Sequence, residues 1–158
     1  MPIFTVAAPA HLTRTLQRIH PHAPVRGISR ISRLAARLLP PYLGRLTLPG
    51  GVQMQIDTRI DAHLDLLFTG VYQPALAHRL RQRLVPGAYC LDIGANVGFF
   101  AFDFAHHVGA RGRVAAFEAN PALIQLLETQ RRLNDFTWLS IHPQAAYETS
   151  GQRLTFHV

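Results

Sequence analysis

The sequence predicts an α/β fold in which short parallel strands alternate with helices, forming one part of a doubly wound sheet. The run Tyr89 to Ile93 is apolar, turns through Gly94, Ala95, Asn96 and Gly98, and opens into a second apolar run with Phe99, Phe100, Phe102 and Phe104; this reads as strand, tight loop, helix. Arg113 to Phe117 is a second β-compatible run, and it ends in an acid, Glu118. Pro121 then suits a helix first turn, Leu123, Leu126, Leu127 and Leu133 recur on one face, and Thr137 to Ile141 reads as a third strand. Strand, helix, strand, helix, strand in that order is a partial Rossmann-like sheet.

The elements before this core follow a different pattern. Residues 1–43 read as a basic N-terminal arm, and residues 44–158 as the cofactor-binding part of a larger α/β domain. Pro2, Pro9, Pro21 and Pro24 interrupt the first stretch, whose His11, His20 and His22 read as solvated side chains and not as a metal site, because no cysteine or carboxylate stands near them. Ile28, Ile31, Ala35 and Leu38 alternate with Arg26, Arg30, Arg33 and Arg37 on another face, giving a basic amphipathic helix over 26–39 that Pro40-Pro41 ends. Such a helix packs its apolar stripe on the domain with arginines in water, or docks on an anionic surface or a protein. Gly44 to Leu48 and Val52 to Ile56 flank Pro49-Gly50-Gly51 as a β-hairpin. Asp57 to Phe68 is mixed, with Leu64, Leu66, Leu67 and Phe68 expected in the core. Pro74 to Val85 reads as a helix, with Leu76, Leu80 and Leu84 four apart and Arg79, Arg81 and Arg83 outside. Asp103 is expected on the outer face of the helix that follows the glycine loop. Gln144 to Tyr147 and Arg153 to Val158 read as a further strand pair around Ser150-Gly151.

Composition narrows the class. With 158 residues, 48% of them hydrophobic, the chain can bury a core. All 16 basic residues are arginine, and the net charge of +7 is carried by residues 1–56, which hold seven arginines and no acid. Residues 57–158 balance nine arginines against nine acids. No aromatic platform stands beside the arginines, so a nucleic-acid partner is not expected. The single cysteine, Cys90, lies inside the first core strand and reads as a buried thiol. No apolar run has the length of a transmembrane segment and no secretory leader is evident, so a cytoplasmic protein is the expectation.

The glycine loop supplies the chemistry. A strand-to-helix turn leaves backbone N–H groups at a helix N-terminus, where a carboxylate or phosphate can be held, and glycine lets a ligand approach the backbone. An acid at the end of the next strand can accept from both hydroxyls of a ribose. Asp92 and Glu118 therefore bracket one nucleoside-sized crevice. The usual dinucleotide fingerprint G-x-G-x-x-G is absent, since three residues separate Gly94 from Gly98, and an NAD(P)-dependent oxidoreductase is the lesser alternative.

The spacing D-x-G-x-N-x-G, at Asp92, Gly94, Asn96 and Gly98, followed by A-F-E-x-N-P at Ala116 to Pro121, resembles class I S-adenosylmethionine-dependent methyltransferases, and among them the FkbM family. Gly70-Val-Tyr-Gln-Pro74 resembles the family's G-x-Y-E-P segment, with Gln73 where glutamate is usual. The resemblance implies S-adenosylmethionine as cofactor, bound by Asp92, Gly94, Ala95, Asn96, Gly98 and Glu118, with Gln144 and Tyr72 as weaker candidates. Asp92 would hold the cofactor's ammonium group and Glu118 its ribose; Asn96 would contact the cofactor or only cap the helix. It implies O-methylation of a hydroxyl on a sugar or secondary metabolite, with no metal and no nameable base. The family's D-x-E-G segment does not occur, so the chain resembles a member cut off after its cofactor half, either active or a remnant that depends on a partner polypeptide.

Overall fold

The computed structural model describes residue 41, residues 43–149, and residues 151 and 155. The expected helix over 26–39 lies outside them, as do the rest of the N-terminal arm and nearly all of the strand expected over 153–158. The chain divides into two compact units, Met1–Arg79 and Leu80–Val158.

In the first unit, strands β1 (Leu43–Thr47) and β2 (Gln53–Asp57) pair antiparallel, with Leu46 opposite Met54. Alternation puts Leu46, Leu48, Val52, Met54 and Ile56 inside. Helix α1 (Asp61–Thr69) occupies the segment that reads as mixed in sequence, and it adds Leu64 and Leu66 to the core. It ends at Gly70, whose left-handed backbone lets its N–H donate to Leu66 O at 2.8 Å.

His63 ties α1 to β2. Its ring is buried, with Nδ1 3.0 Å from Asp57 N and 3.2 Å from Asp57 O, while Nε2 is a buried atom with no partner. Burial pushes the His63 pKa below its ordinary value, against the opposing pull of Asp57. Asp57 itself is held low by its ion pair with Arg59.

Helix α2 (Pro74–Arg81) stops one turn earlier than the sequence predicts, and Ala77, not Leu76, is its buried residue. Strands β3 (Tyr89–Ile93), β4 (Arg113–Phe117) and β5 (Leu139–His142) then form a parallel sheet in the order β3-β4-β5. Helices α3 (Phe99–Val108) and α4 (Pro121–Leu133) are the two crossovers. The second unit is thus an α/β, Rossmann-like sheet. Residues 143–147 carry no regular structure, so the strand expected at Gln144 to Tyr147 does not form.

The register sorts the two faces. Cys90 pairs with Val114 and Val114 with Leu139, and these residues point where α3 lies. On that side Val114, Ala116, Leu139, Phe99, Phe102 and Phe104 are buried, as expected for aromatic residues packing on a sheet. On the other side Tyr89, Leu91 and Ile93 are 84%, 67% and 64% exposed, and among the described residues β3 is an edge strand.

Asp103 departs from expectation. It lies only 8% exposed, and the guanidinium of Arg81, also expected in solvent, donates to both its oxygens at 2.8–3.1 Å. A buried carboxylate needs such a partner.

Acid should weaken the first unit in a defined window. A histidine with a depressed folded pKa contributes stability that is lost as pH falls from its unfolded value of about 6.5, because the unfolded chain takes up the proton first. Thermal unfolding should show a loss on the order of 1 kcal/mol between about pH 7 and pH 5 that is absent in His63→Leu.

Candidate ligand site at the ends of strands β3 and β4

The parallel pairing brings two acids to one end of the sheet. Asp92 is in register with Ala116, and Glu118 follows β4 immediately, so both carboxyls lie at the C-terminal ends of adjacent strands. They are close enough that the Glu118 charge raises the Asp92 pKa, although burial is the larger cause and the Ala101 N–H opposes both. One Asp92 oxygen, Oδ2, is buried without a hydrogen-bond partner. A buried orphan acceptor of this kind costs free energy unless something donates to it.

The loop between the acids is held tightly by β4. Phe117 O accepts from both Gly94 N–H and Ala95 N–H at 2.9 Å. Glu118 accepts from Asn96 N–H at 2.7 Å through Oε2 and from Asn120 N–H at 2.8 Å through Oε1. The sequence reading left these loop amides for a ligand; the structure gives three of them to β4 and its terminal acid. Glu118 is only 7% exposed as a result. Each carboxylate oxygen keeps a second lone pair for a further donor.

Backbone conformation explains the loop's residue choices. Gly94, Asn96 and Gly98 have φ of 78°, 51° and 88°, a left-handed region that glycine enters freely and asparagine tolerates. A Cβ at Gly94 would meet nothing within 4 Å, so this backbone faces open space. A Cβ at Gly98 would lie 2.4 Å from Leu127 and 2.6 Å from Phe102. Gly98 is also the N-cap of α3, which has no side-chain cap bond, so Asn96 is not the capping residue.

The structure therefore gathers Asp92, Gly94, Ala95, Asn96, Gly98 and Glu118 around one loop. Gln144 is exposed, two residues past β5, with its N–H on His142 O at 2.8 Å. Tyr72 belongs to the first unit. Two neighbours escaped the sequence reading. His142, in register with Phe117, stacks on that ring at 4.6 Å, and its Nε2 lies 3.0 Å from Ser140 Oγ. Gln130 is buried on α4 and reaches Val97. His106 and His107 lie in the last turn of α3, away from the loop. Cys90 is half-buried and not fully buried as expected; the burial it has raises its thiol pKa. Among the described residues no three His, Cys, Asp or Glu side chains could hold a metal, and no helix is long and apolar enough to cross a membrane.

No family model and no curated protein matches the chain. Among solved structures it is similar to a tRNA methyltransferase from M. jannaschii, at 17% identity over 80% of this chain and 42% of that one, with a TM-score of 0.48. It is similar to P. horikoshii TYW2 in complex with MeSAdo, at 17% identity over 74% and 47%, with a TM-score of 0.46. A SAM-dependent O-methyltransferase from Thermotoga maritima shares 23% identity over 47% and 29%, with a TM-score of 0.42. The chain spans less than half the length of each of these proteins.

Two substitutions test the site's construction. Gly98→Ala should cost about 2 kcal/mol or more, from left-handed strain plus overpacking, while Gly94→Ala should cost less because only strain acts there. Chemical denaturation of the two variants separates the terms. A raised carboxyl pKa means stability present at low pH and lost as pH rises through the folded value. Asp92→Asn should accordingly stabilise the protein at neutral pH, on the order of 1 kcal/mol, and the gain should vanish below about pH 4.

Proposed function

We propose that the chain binds S-adenosylmethionine at the loop 94–98 and forms the cofactor-binding part of a methyltransferase of the FkbM type. The orphaned Asp92 Oδ2 carries this reading. A desolvated carboxylate beside open backbone fits a cationic group, and the donor's ammonium is one. Burial and the nearby Glu118 charge raise the Asp92 pKa, and a cation beside it would relieve both costs. When bound, the cofactor would supply an electrophilic methyl on its sulfonium, which passes in line to an acceptor oxygen as the carbon–sulfur bond breaks and the neutral thioether leaves.

The chain's own residues do the holding. Asp92 would pair with the ammonium, and the bare backbone at Gly94, with open space beside it, would leave room for the amino-acid tail. Glu118 accepts from the ribose hydroxyls with the lone pairs that Asn96 and Asn120 leave over, while fixing the loop with the others. Orientation of donor and acceptor is the protein's main contribution to such a displacement. The acceptor is proposed as a hydroxyl on a sugar or secondary metabolite, by the motif resemblance, and the setting as cytoplasmic. No described residue is assigned as base.

A second reading is a non-catalytic, partner-dependent fragment that binds cofactor alone. The exposure of Tyr89, Leu91 and Ile93 on an edge strand favours it, since such a surface is ordinarily covered. An NAD(P)-dependent oxidoreductase has no comparable support, because the orphaned acid suits a cation and not a pyrophosphate.

Calorimetry on the whole chain tests the proposal. S-adenosylmethionine should bind saturably, more tightly as pH rises through the Asp92 titration, and Glu118→Ala should weaken it about tenfold, or about 1.4 kcal/mol. Unchanged affinity in that variant would remove Glu118 from the site. Saturable NADH binding without S-adenosylmethionine binding would replace the methyl-donor reading. Methyl transfer to a hydroxyl acceptor by the isolated chain would exclude the partner-dependent reading.

A further inference from the structure

Helix α4 reaches the glycine loop at a point that the strand ends do not require. Gln130 is fully buried, and its Nε2 donates to Val97 O at 3.0 Å. The next N–H along the chain, on Gly98, donates to Ala95 O at 2.8 Å. Both polar groups of the single peptide unit joining Val97 to Gly98 are therefore held, one by α4 and one by the loop itself. That peptide cannot turn over without breaking two hydrogen bonds.

This unit enters Gly98, a left-handed residue two positions after the left-handed Asn96. Their paired conformations aim the Asn96 N–H at Glu118 and start α3 at Phe99. A turned peptide would change ψ of Val97 and φ of Gly98, and so remake the turn that leads into α3. Leu127, three positions earlier on α4, fills the space against Gly98 from the same side. A buried amide is costly without a partner, so Gln130 stands in this apolar setting by virtue of its bonds. Asn134, one turn on, donates from Nδ2 to the backbone carbonyl of Gln130 at 2.8 Å.

We infer that Gln130 is a positioning residue for the ligand loop: its side-chain amide locks the Val97–Gly98 peptide and so sets the backbone that lies between Asp92 and Glu118. The ligand arm of the test rests on the proposed cofactor reading; the exchange arm does not.

Two variants distinguish positioning from packing. Gln130→Glu keeps the shape but donates only when protonated, and burial raises the pKa of the introduced acid. Relative to the unaltered protein at the same pH, its affinity for S-adenosylmethionine should fall about tenfold near pH 8 and return to within about twofold near pH 5.5. Gln130→Met, close in volume and without a donor, should stay about tenfold weaker at both pH values. A residue that serves stability alone would lower the melting temperature and leave the affinity of the folded protein at parity in both variants, and that result overturns the inference. Should Gln130→Glu fail to fold, Gln130→Met carries the comparison. If the unaltered protein binds no S-adenosylmethionine, the cofactor reading fails by itself, and amide hydrogen exchange decides the rest. Exchange at Gly98 about tenfold faster in Gln130→Met, with Phe104 and Val108 unchanged, supports the lock. Equal exchange at Gly98 sinks it.

Discussion

The carbonyl of Phe117 and the carboxylate of Glu118 govern the second unit's working end. Between them they take the N–H groups of Gly94, Ala95 and Asn96, three consecutive loop residues. A loop that would otherwise be loose is converted into an extension of β4. The site is therefore positioned by a sheet, and its geometry inherits the stiffness of the β3–β4 pairing. Glu118 also receives the N–H of Asn120, whose own side chain accepts from Ala122 N–H as the N-cap of α4. One acid thus joins a strand end, a loop and a helix start.

Unfavourable terms concentrate where the ligand would go. Three left-handed residues, a buried orphan oxygen and two neighbouring carboxylates all lie within a few residues of the loop. Each would be costly alone, and surrounding packing must hold them in place. The aromatic cluster does this. Phe102 stacks on Phe136 and Phe136 leans on Trp138, fastening α3 to the turn before β5. Leu127 closes the back of the loop against Gly98. Away from the site the chain satisfies its buried charge, as Asp103 with Arg81 demonstrates. Asp103 has both oxygens held by Arg81, whereas Asp92 at the strand end keeps one oxygen without a partner.

The sequence made the hairpin, the β3–loop–α3 unit and the acid after β4 legible, because alternation, glycine placement and a terminal carboxylate are local signals. What it hid depends on rotation and on partners far along the chain. Asp103 reads as outward from helical spacing, yet its partner Arg81 is 22 positions earlier. Gln130 reads as an ordinary polar residue, and only the fold brings it to Val97, 33 positions away. The loop amides looked available because nothing local reveals that Phe117 and Glu118 reach them. His63 is similar: its ring meets the Asp57 backbone across a turn whose shape the sequence does not state. The segment after β5 differs for another reason: 144–147 carries no regular structure, and the strand expected to pair with it, 153–158, lies almost entirely outside the described residues.

Trp138 is the chain's only tryptophan, and its indole N–H donates to Ala105 O at 2.7 Å, near the last turn of α3. The single indole is thereby wired to the helix that begins at the glycine loop. Its emission wavelength follows the wetness of that junction, so the molecule contains its own optical gauge of whether α3 is seated, with no label added.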